Sequence, residues 1–144
     1  MKAWIWFRAL AILLAFFTLG HTVGTRHAIT NGPEEAAVIA AMQGYRVPVM
    51  GFTRSYWEFY RGFSVSISVL QAALMVIAWQ VGTLSRHSPA AALPLAVTLL
   101  LACIALGVVS IIYFFTAPII TSLLTILCAA VGTLLLARQK PIAV

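Results

Sequence analysis

Charged side chains are scarce in this chain, and acidic ones are nearly absent. Lysine, arginine, aspartate and glutamate together make up 8% of the 144 residues, only three residues are acidic, and 62% are hydrophobic. A soluble domain of this size has too little interior to bury so much apolar surface. A mean hydropathy of +1.03 therefore excludes a soluble globular domain and indicates a chain that lies in a lipid bilayer.

The chain also lacks the residue patterns of several common chemical sites. Its two cysteines, Cys103 and Cys128, fall in the middle of apolar runs, where a thiol usually serves as a small apolar group. No motif for nucleotide binding, covalent haem attachment, nucleophilic hydrolysis or zinc proteolysis occurs. The few histidines and glutamates have no metal-ligand spacing, so we expect no metal and no cofactor. The basic residues flank the apolar runs instead of clustering on one face, which argues against nucleic acid as a partner.

Four apolar stretches are each long enough to cross a bilayer, whose hydrocarbon core of roughly 30 Å needs about 20 residues per helix. We therefore predict an all-α membrane protein in which residues 1–144 form a single bundle of four transmembrane helices. The predicted spans are about 4–22, 56–82, 93–115 and 118–137. Positive residues before the first apolar run resemble a signal peptide, but no convincing cleavage site follows, so we predict a retained helix. Residues 83–92 are predicted to form a short polar connection.

Residues 24–53, the one long segment between spans, are predicted to contain a short helix. Residues 31–35, Asn-Gly-Pro-Glu-Glu, combine a capping residue, a proline near the first helical position and acids in the first turn. The mostly apolar residues that follow, up to Gly44, are too few to cross a membrane. This helix is predicted to lie at the membrane interface or to cover the bundle as a lid. Residues 47–52 then return the chain in extended form.

The basic residues are divided almost evenly between the two predicted sides of the membrane. The side with both termini carries five of them and no acid, whereas the other side carries four arginines and all three glutamates. The positive-inside rule counts basic residues and largely ignores acids, so it slightly favours both termini in the cytoplasm, with residues 24–53 extracytoplasmic. The first group is Lys2, Arg8, Arg86, Arg138 and Lys140; the second is Arg26, Arg46, Arg54 and Arg61, with Glu34, Glu35 and Glu58.

Residues 54–63 combine three charged residues with a dense run of aromatic ones, directly before the second span. Ionisable groups at the mouth of a span are costly in lipid and are more often retained for a ligand, a proton or a partner. Arg54, Glu58 and Arg61 recur at helical spacing, which predicts that the carboxylate lies between two guanidinium groups. We therefore predict a binding site at this mouth, whose candidate ligand-binding residues are Arg54, Tyr56, Trp57, Tyr60, Arg61, Ser64, Ser68 and Gln71.

His21 and Glu58 are the candidate catalytic residues if the protein is an enzyme. The first helix is predicted to end near Thr22 and the second to begin near Ser55, which places His21 and Glu58 at the same depth on antiparallel neighbours. A histidine and a carboxylate in a partly dry mouth can share or relay a proton. The serines and glutamine that follow Glu58 are predicted to face the bundle interior, because lipid offers no hydrogen-bond partner.

Simpler interpretations of the same residues stay open. Ser55 and Glu58 match a capping box, in which each side chain bonds the backbone amide of the other residue. Arg54 and Arg61 can hold lipid phosphates at the membrane interface. His21 can simply bond a loop carbonyl, and the serine and threonine stripes can be plain helix-packing contacts.

Two short motifs resemble those of small four-span bacterial integral membrane proteins. One is Gly20-His21-Thr22 with Gly24, and the other is the Tyr-Trp-x-Phe-Tyr-x-Gly-Phe segment within residues 54–63. The resemblance covers nearly the whole chain and implies the four-span topology but no activity. In outline the chain is also similar to DoxX-like four-helix proteins. More distantly it resembles sterol-isomerase-type domains, in which an intramembrane His and Glu move a proton on a lipid.

This chain departs from the isomerase pattern because Glu58 lies at a helix mouth between arginines, which would hold it ionised and unsuited to donating a proton. Three hypotheses follow. The first is a non-enzymatic protein of the bacterial inner membrane that binds a hydrophobic or amphiphilic molecule, or an intramembrane protein partner, at its extracytoplasmic mouth. The second is a membrane enzyme that does acid-base chemistry on a lipid or quinone-like substrate. The third is an accessory subunit of a larger complex, and self-association into a homo-oligomer is also compatible with the sequence.

Overall fold

The structure is a computed structural model that describes residues 2–26 and 30–139. The described residues form five helices and one two-stranded hairpin, which confirms the all-α prediction and adds the hairpin to it. The elements are α1 (Ala3–Gly24), α2 (Pro33–Gly44), β1 (Arg46–Val49), β2 (Phe52–Ser55), α3 (Tyr56–His87), α4 (Pro89–Tyr113) and α5 (Thr116–Ala137). The helices α1, α3, α4 and α5 are each long and apolar enough to cross a membrane. Residues 27–29 of the predicted loop and Lys140 lie outside the described residues.

The chain divides into two compact units. Unit 1 contains the described parts of Met1–Thr18 and Gln71–Val144, and unit 2 is formed by the described residues of Leu19–Leu70. The boundaries fall inside α1 and α3. Unit 1 therefore holds most of the long apolar helices, whereas unit 2 holds α2, the hairpin, the end of α1 and the beginning of α3.

The core of unit 1 is organised around Phe7 of α1, which is fully buried. A Cβ atom added to Gly82 of α3 would lie 3.3 Å from the Phe7 Cβ, and one added to Gly132 of α5 would lie 3.0 Å from the Phe7 Cζ. Phe7 therefore packs directly on the backbones of two other helices, where small residues permit the close approach. The other large side chains buried in this core include Leu10, Leu14, Val81, Leu99 and Leu136.

The helices α4 and α5 form an antiparallel helical hairpin. Phe114 and Phe115 alone separate them. Near this turn the hydroxyl oxygens of Ser110 and Ser122 lie 2.9 Å apart, and farther along Thr133 Oγ1 donates to the Ala96 carbonyl at 3.3 Å. Both contacts are buried, so these polar side chains join the two helices instead of facing lipid.

The prediction of a polar connection at residues 83–92 is wrong. The helix α3 continues to His87, and α4 begins at Pro89, so that Ser88 alone separates them. Residues 83–87 are mostly polar but include no helix breaker, whereas Pro89 takes the first helical position, where its missing amide hydrogen costs nothing. Polar composition was therefore a poor indication of a loop.

In unit 2, α2 begins at Pro33 as the sequence predicted, with Glu34 and Glu35 in its first turn. The residue that precedes the helix is Gly32, whose φ is 132°, and it makes no side-chain cap; the amide of Asn31 instead donates to the Glu35 carboxylate. No residue of α2 is buried. The alternative of a lid over the bundle stays a prediction, as does a position at the membrane interface.

The hairpin reverses at Met50 and Gly51, which sequence reasoning read only as extended chain. Both residues have positive φ, 48° for Met50 and 85° for Gly51. Two-residue hairpin loops favour this geometry, because its twist matches that of the strands. Glycine adopts it freely, but for methionine the left-handed conformation is strained. The strands pair from Val49 with Phe52 to Arg46 with Ser55.

This strain predicts opposite effects at the two turn positions. Met50→Asn is expected to stabilise the hairpin by roughly 0.5–1 kcal/mol, since asparagine tolerates positive φ better than methionine. Gly51→Ala is expected to destabilise it by about 1–2 kcal/mol, because a Cβ is disfavoured at this φ. Hydrogen exchange of the β2 amides measures both effects. Gly62→Ala, in the helix α3 with open space around it, is the control and must leave the exchange of these amides unchanged.

Candidate functional site

The helix α3 begins with the capping box that Ser55 and Glu58 predicted. The Ser55 amide donates to Glu58 Oε2 at 2.7 Å, and the Glu58 amide donates to Ser55 Oγ at 3.2 Å. Two backbone amides at the start of the helix are thereby satisfied reciprocally. Because Ser55 is also the last residue of β2, the same bonds attach the hairpin to α3 without an intervening loop.

The Glu58 carboxylate lies between two guanidinium groups, but only one of them is the predicted one. Arg54 Nη1 lies 3.7 Å from Glu58 Oε1, although Arg54 belongs to β2 and only Glu58 to α3. The second partner is Arg46, whose Nη2 lies 3.9 Å from Glu58 Oε2. We call Arg46, Arg54 and the Glu58 carboxylate the arginine cluster. All three side chains are about half exposed, so these long ion pairs contribute little to stability.

Arg61, the guanidinium predicted to flank Glu58, is engaged elsewhere. Its Nη1 donates to the backbone carbonyl of Thr25 at 3.5 Å. The strand register brings Arg46 to Glu58 instead, because Arg46 pairs with Ser55 at the base of the hairpin. Sequence reasoning missed Arg46, although a two-residue turn at Met50 and Gly51 would have implied this pairing.

Aromatic side chains stack in two pairs beside the arginine cluster. The rings of Tyr45 and Tyr56 lie 5.5 Å apart and are nearly parallel, and those of Trp57 and Tyr60 lie 5.4 Å apart. Arg46 and Ser55 form the pair farthest from the hairpin turn. Tyr45 and Tyr56 are the residues directly beyond this pair, one on each side. Three predicted ligand-binding residues, Tyr56, Trp57 and Tyr60, thus belong to stacked pairs at the start of α3. Stacked aromatic residues of this kind are typical of the interface between membrane and water.

His21 lies in a separate polar cluster. Its Nδ1 lies 3.0 Å from Ser68 Oγ, and Thr22 Oγ1 donates to the same oxygen at 2.9 Å. The Ser68 hydroxyl also lies 3.4 Å from the Ser64 carbonyl. We call His21, Thr22 and Ser68 the His21 cluster. Its members satisfy one another between α1 and α3, where an unpaired polar group in lipid would be costly.

His21 and Glu58 do not lie at the same depth, which contradicts the prediction that they face one another. Ser68, the partner of His21, follows Glu58 by ten residues on one continuous helix. At 1.5 Å per residue this separates the two levels by roughly 15 Å. Among the described residues no hydrogen bond or ion pair joins His21 to Glu58. The prediction failed because α3 begins well before the level at which it meets the end of α1.

The remaining predicted site residues are buried. Ser64 is buried in unit 2, and Gln71, in unit 1, is only 4% exposed. Both side chains therefore face protein rather than lipid, as the polar stripe predicted. The Gln71 Oε1 atom is buried and has no hydrogen-bond partner among the described residues. Among these residues there is also no group of three or more metal-ligating side chains.

Comparisons with known proteins add no relative to this geometry. No family model, curated protein or solved structure matches the chain. The resemblance of its two motifs to four-span bacterial and DoxX-like proteins therefore stays a prediction. Function has to be inferred from the contacts of the residues themselves.

Proposed function

We propose that the chain is a multi-pass protein of the bacterial inner membrane that binds an anionic amphiphile on the extracytoplasmic side. The arginine cluster holds the anionic end of this molecule, and the stacked aromatic residues contact its apolar part. Both termini lie in the cytoplasm, and α2 lies at the membrane interface. No chemical step is required, so this is a binding protein and not an enzyme.

The membrane location is supported by the exposed surface of the long helices. Large apolar side chains such as Phe16, Ile112 and Phe115 are mostly exposed in the isolated chain. A soluble protein rarely leaves so much apolar surface uncovered, whereas acyl chains cover it without cost. The helix α3 has 32 residues, which corresponds to about 48 Å and exceeds a hydrocarbon core of roughly 30 Å. Its first turns, with the arginine cluster, therefore reach the headgroup region.

The proposal rests on the excess of guanidinium groups over carboxylate groups in the arginine cluster. Arg46 and Arg54 share one carboxylate at 3.9 and 3.7 Å, which is longer than a direct charge-assisted hydrogen bond. Arg46 Nη2 also donates to the Thr53 carbonyl at 3.4 Å. Both side chains are about half exposed, which leaves their other donors accessible to a ligand. Guanidinium groups bind phosphate and carboxylate through paired donors, so an anionic headgroup suits this site.

The proposal predicts that Arg46→Gln combined with Arg54→Gln reduces retention of anionic amphiphiles. Because hydrogen bonds to charged groups contribute strongly to the free energy of binding, we expect the affinity for these molecules to fall by about tenfold or more. Native mass spectrometry of protein purified in mild detergent, with added phosphatidylglycerol or phosphatidylcholine, measures the retained molecules. Arg26→Gln with Arg138→Gln removes the same charge elsewhere and is the matched control. Equal retention of phosphatidylglycerol by both double variants would refute the proposal.

A protein partner is the second candidate, and the exposed apolar surface of unit 2 favours it. Met50 at the tip of the hairpin is 96% exposed, Phe52 is 64% exposed, and Val38 on α2 is 60% exposed. Apolar side chains gathered in this way mark surfaces that another protein or a membrane covers. The same native mass spectra distinguish the candidates, because an accessory subunit retains a stoichiometric protein partner. The enzymatic alternative has the weakest support, since His21 and Glu58 contact different residues.

A further inference from the structure

Two arginines of unit 1 each stack on a tryptophan of the opposite helix. The Arg8 Cζ on α1 lies 3.3 Å from the ring centroid of Trp79 on α3. Reciprocally, the Arg86 Cζ on α3 lies 5.2 Å from the ring of Trp4 on α1. Each contact is a favourable cation–π interaction, and together they place two guanidinium groups along the same seam between α1 and α3.

The packing of this seam holds Arg8 in place. Arg8 Nη2 donates to Thr83 Oγ1 at 2.8 Å, one turn beyond Trp79 on α3. Gly82 allows the two helices to approach, because a Cβ there would lie only 3.3 Å from the Phe7 Cβ, and it would also contact Arg8 Nε at 3.6 Å. Arg8 is therefore positioned by a hydroxyl group and an aromatic face, neither of which carries a negative charge.

The positive charge of this seam has no acidic partner in unit 1. All three acidic residues of the sequence, Glu34, Glu35 and Glu58, belong to unit 2. Arg8 Nη1 is buried and has no hydrogen-bond partner among the described residues. A partly buried guanidinium group without a counter-charge is unfavourable. An anion from outside the chain would supply the missing charge.

An apolar groove adjoins the same tryptophan. The groove has a volume of about 220 Å³ and an entirely apolar lining. Trp79 forms part of that lining, and its ring is also the one on which the Arg8 guanidinium group stacks. An apolar cavity of about 150 Å³ is large enough to bind benzene, so this groove accommodates several carbons of an acyl chain. The groove is lined by Ala11, Ile12 and Ala15 of α1 and by Met75, Val76 and Trp79 of α3.

We propose that this seam binds one anionic phospholipid, with its phosphate at Arg8 and Arg86 and one acyl chain in the adjoining groove. Arg86 is exposed and Arg8 is partly exposed, so both side chains present part of their surface to the outside of unit 1. A charged end and an apolar groove that meet at Trp79 fit an amphiphile better than a free anion or a hydrocarbon. The site uses residues of unit 1 only, so it does not depend on the function proposed for the arginine cluster.

The phosphate contact is tested with Arg86→Gln, which removes an exposed charge without disturbing the core. The test uses the Arg46→Gln, Arg54→Gln background, which removes the other proposed lipid site. Native mass spectrometry after incubation with phosphatidylglycerol or phosphatidylcholine of matched chain length is expected to show about tenfold weaker retention of phosphatidylglycerol alone. Arg138→Gln removes an exposed charge elsewhere in unit 1 and is expected to retain the lipid as the background protein does. Equal retention by the background protein and both variants overturns the proposal, as does an equal loss in both variants.

The source of the phosphate and the role of the groove are tested separately. Millimolar inorganic phosphate is expected to leave the bound phospholipid in place, and its displacement would show a free-phosphate site and overturn the proposal. Ala15→Phe fills the groove and is expected to release the lipid, whereas Ala73→Phe, on an exposed part of α3 outside the groove, is not. Val76→Trp narrows the groove from a more exposed position and serves if Ala15→Phe does not fold. Wild-type retention in the folded groove variant contradicts the acyl-chain contact.

Discussion

Replacement of Phe7 by alanine is expected to lower the free energy of unfolding by about 3 kcal/mol, the lower end of the range for Phe→Ala in packed cores. Phe7 is fully buried and packs on the backbones of α3 and α5 through Gly82 and Gly132. Helices that separate inside a detergent micelle remain in apolar surroundings. The expected loss of stability therefore reflects lost packing contacts and not transfer of the side chain into water. Thermal unfolding in detergent, followed by circular dichroism, measures it.

A double-mutant cycle with Gly132 identifies the cause of that loss. Gly132→Val alone is expected to destabilise the protein by about 1–3 kcal/mol, because its Cβ would lie within 3.0–3.2 Å of three Phe7 ring atoms. In the Phe7→Ala background the ring is absent, and the same valine is expected to recover part of the lost packing. Additive effects of the two substitutions would contradict direct packing of the ring on Gly132.

Substitution of Ser68 by alanine is expected to destabilise the protein by about 2 kcal/mol, since it leaves two polar side chains without their partner. His21 Nδ1 and Thr22 Oγ1 both contact the Ser68 hydroxyl, at 3.0 and 2.9 Å. The same variant combined with His21→Leu and Thr22→Val removes every member of the His21 cluster. That triple variant is expected to regain most of the stability, because no polar group is left unpaired.

Ser66→Ala is the matched control for this series. The Ser66 hydroxyl is exposed and donates only to the Gly62 carbonyl of its own helix, at 2.9 Å. We expect its removal to change the free energy of unfolding by less than about 0.5 kcal/mol. If the triple variant is no more stable than Ser68→Ala alone, the stabilising role of this cluster must be rejected.

Local patterns predicted the elements of this fold well. The lengths of the apolar runs located the four long helices, because a helix that can cross a membrane needs about 20 apolar residues wherever it occurs. Pro33 with the acids that follow it predicted the start of α2, and the spacing of Ser55 and Glu58 predicted the capping box. Each of these signals lies within one continuous stretch of the sequence.

The predictions that failed concern contacts between residues far apart in the sequence. The partnership of Arg46 with Glu58 depends on the register of the hairpin, and the level at which His21 meets α3 depends on how far α3 extends beyond α1. The register follows only once the turn is located at Met50 and Gly51, and the level of His21 depends on the packing of two helices that are distant in sequence. The polar residues before Ser88 were misread for a different reason: polar side chains at a membrane surface are compatible with a continuing helix.

The direct junction between β2 and α3 has a mechanical consequence. No residue separates Ser55, the last residue of β2, from Tyr56, the first residue of α3. The capping box joins β2 to α3 by hydrogen bonds, so no hinge lies between them. A helix of 32 residues leans farther over in a thin bilayer than in a thick one. In the membrane location proposed above, the hairpin would tilt with this helix, and membrane thickness would set how far Arg46 and Arg54 stand above the lipid surface.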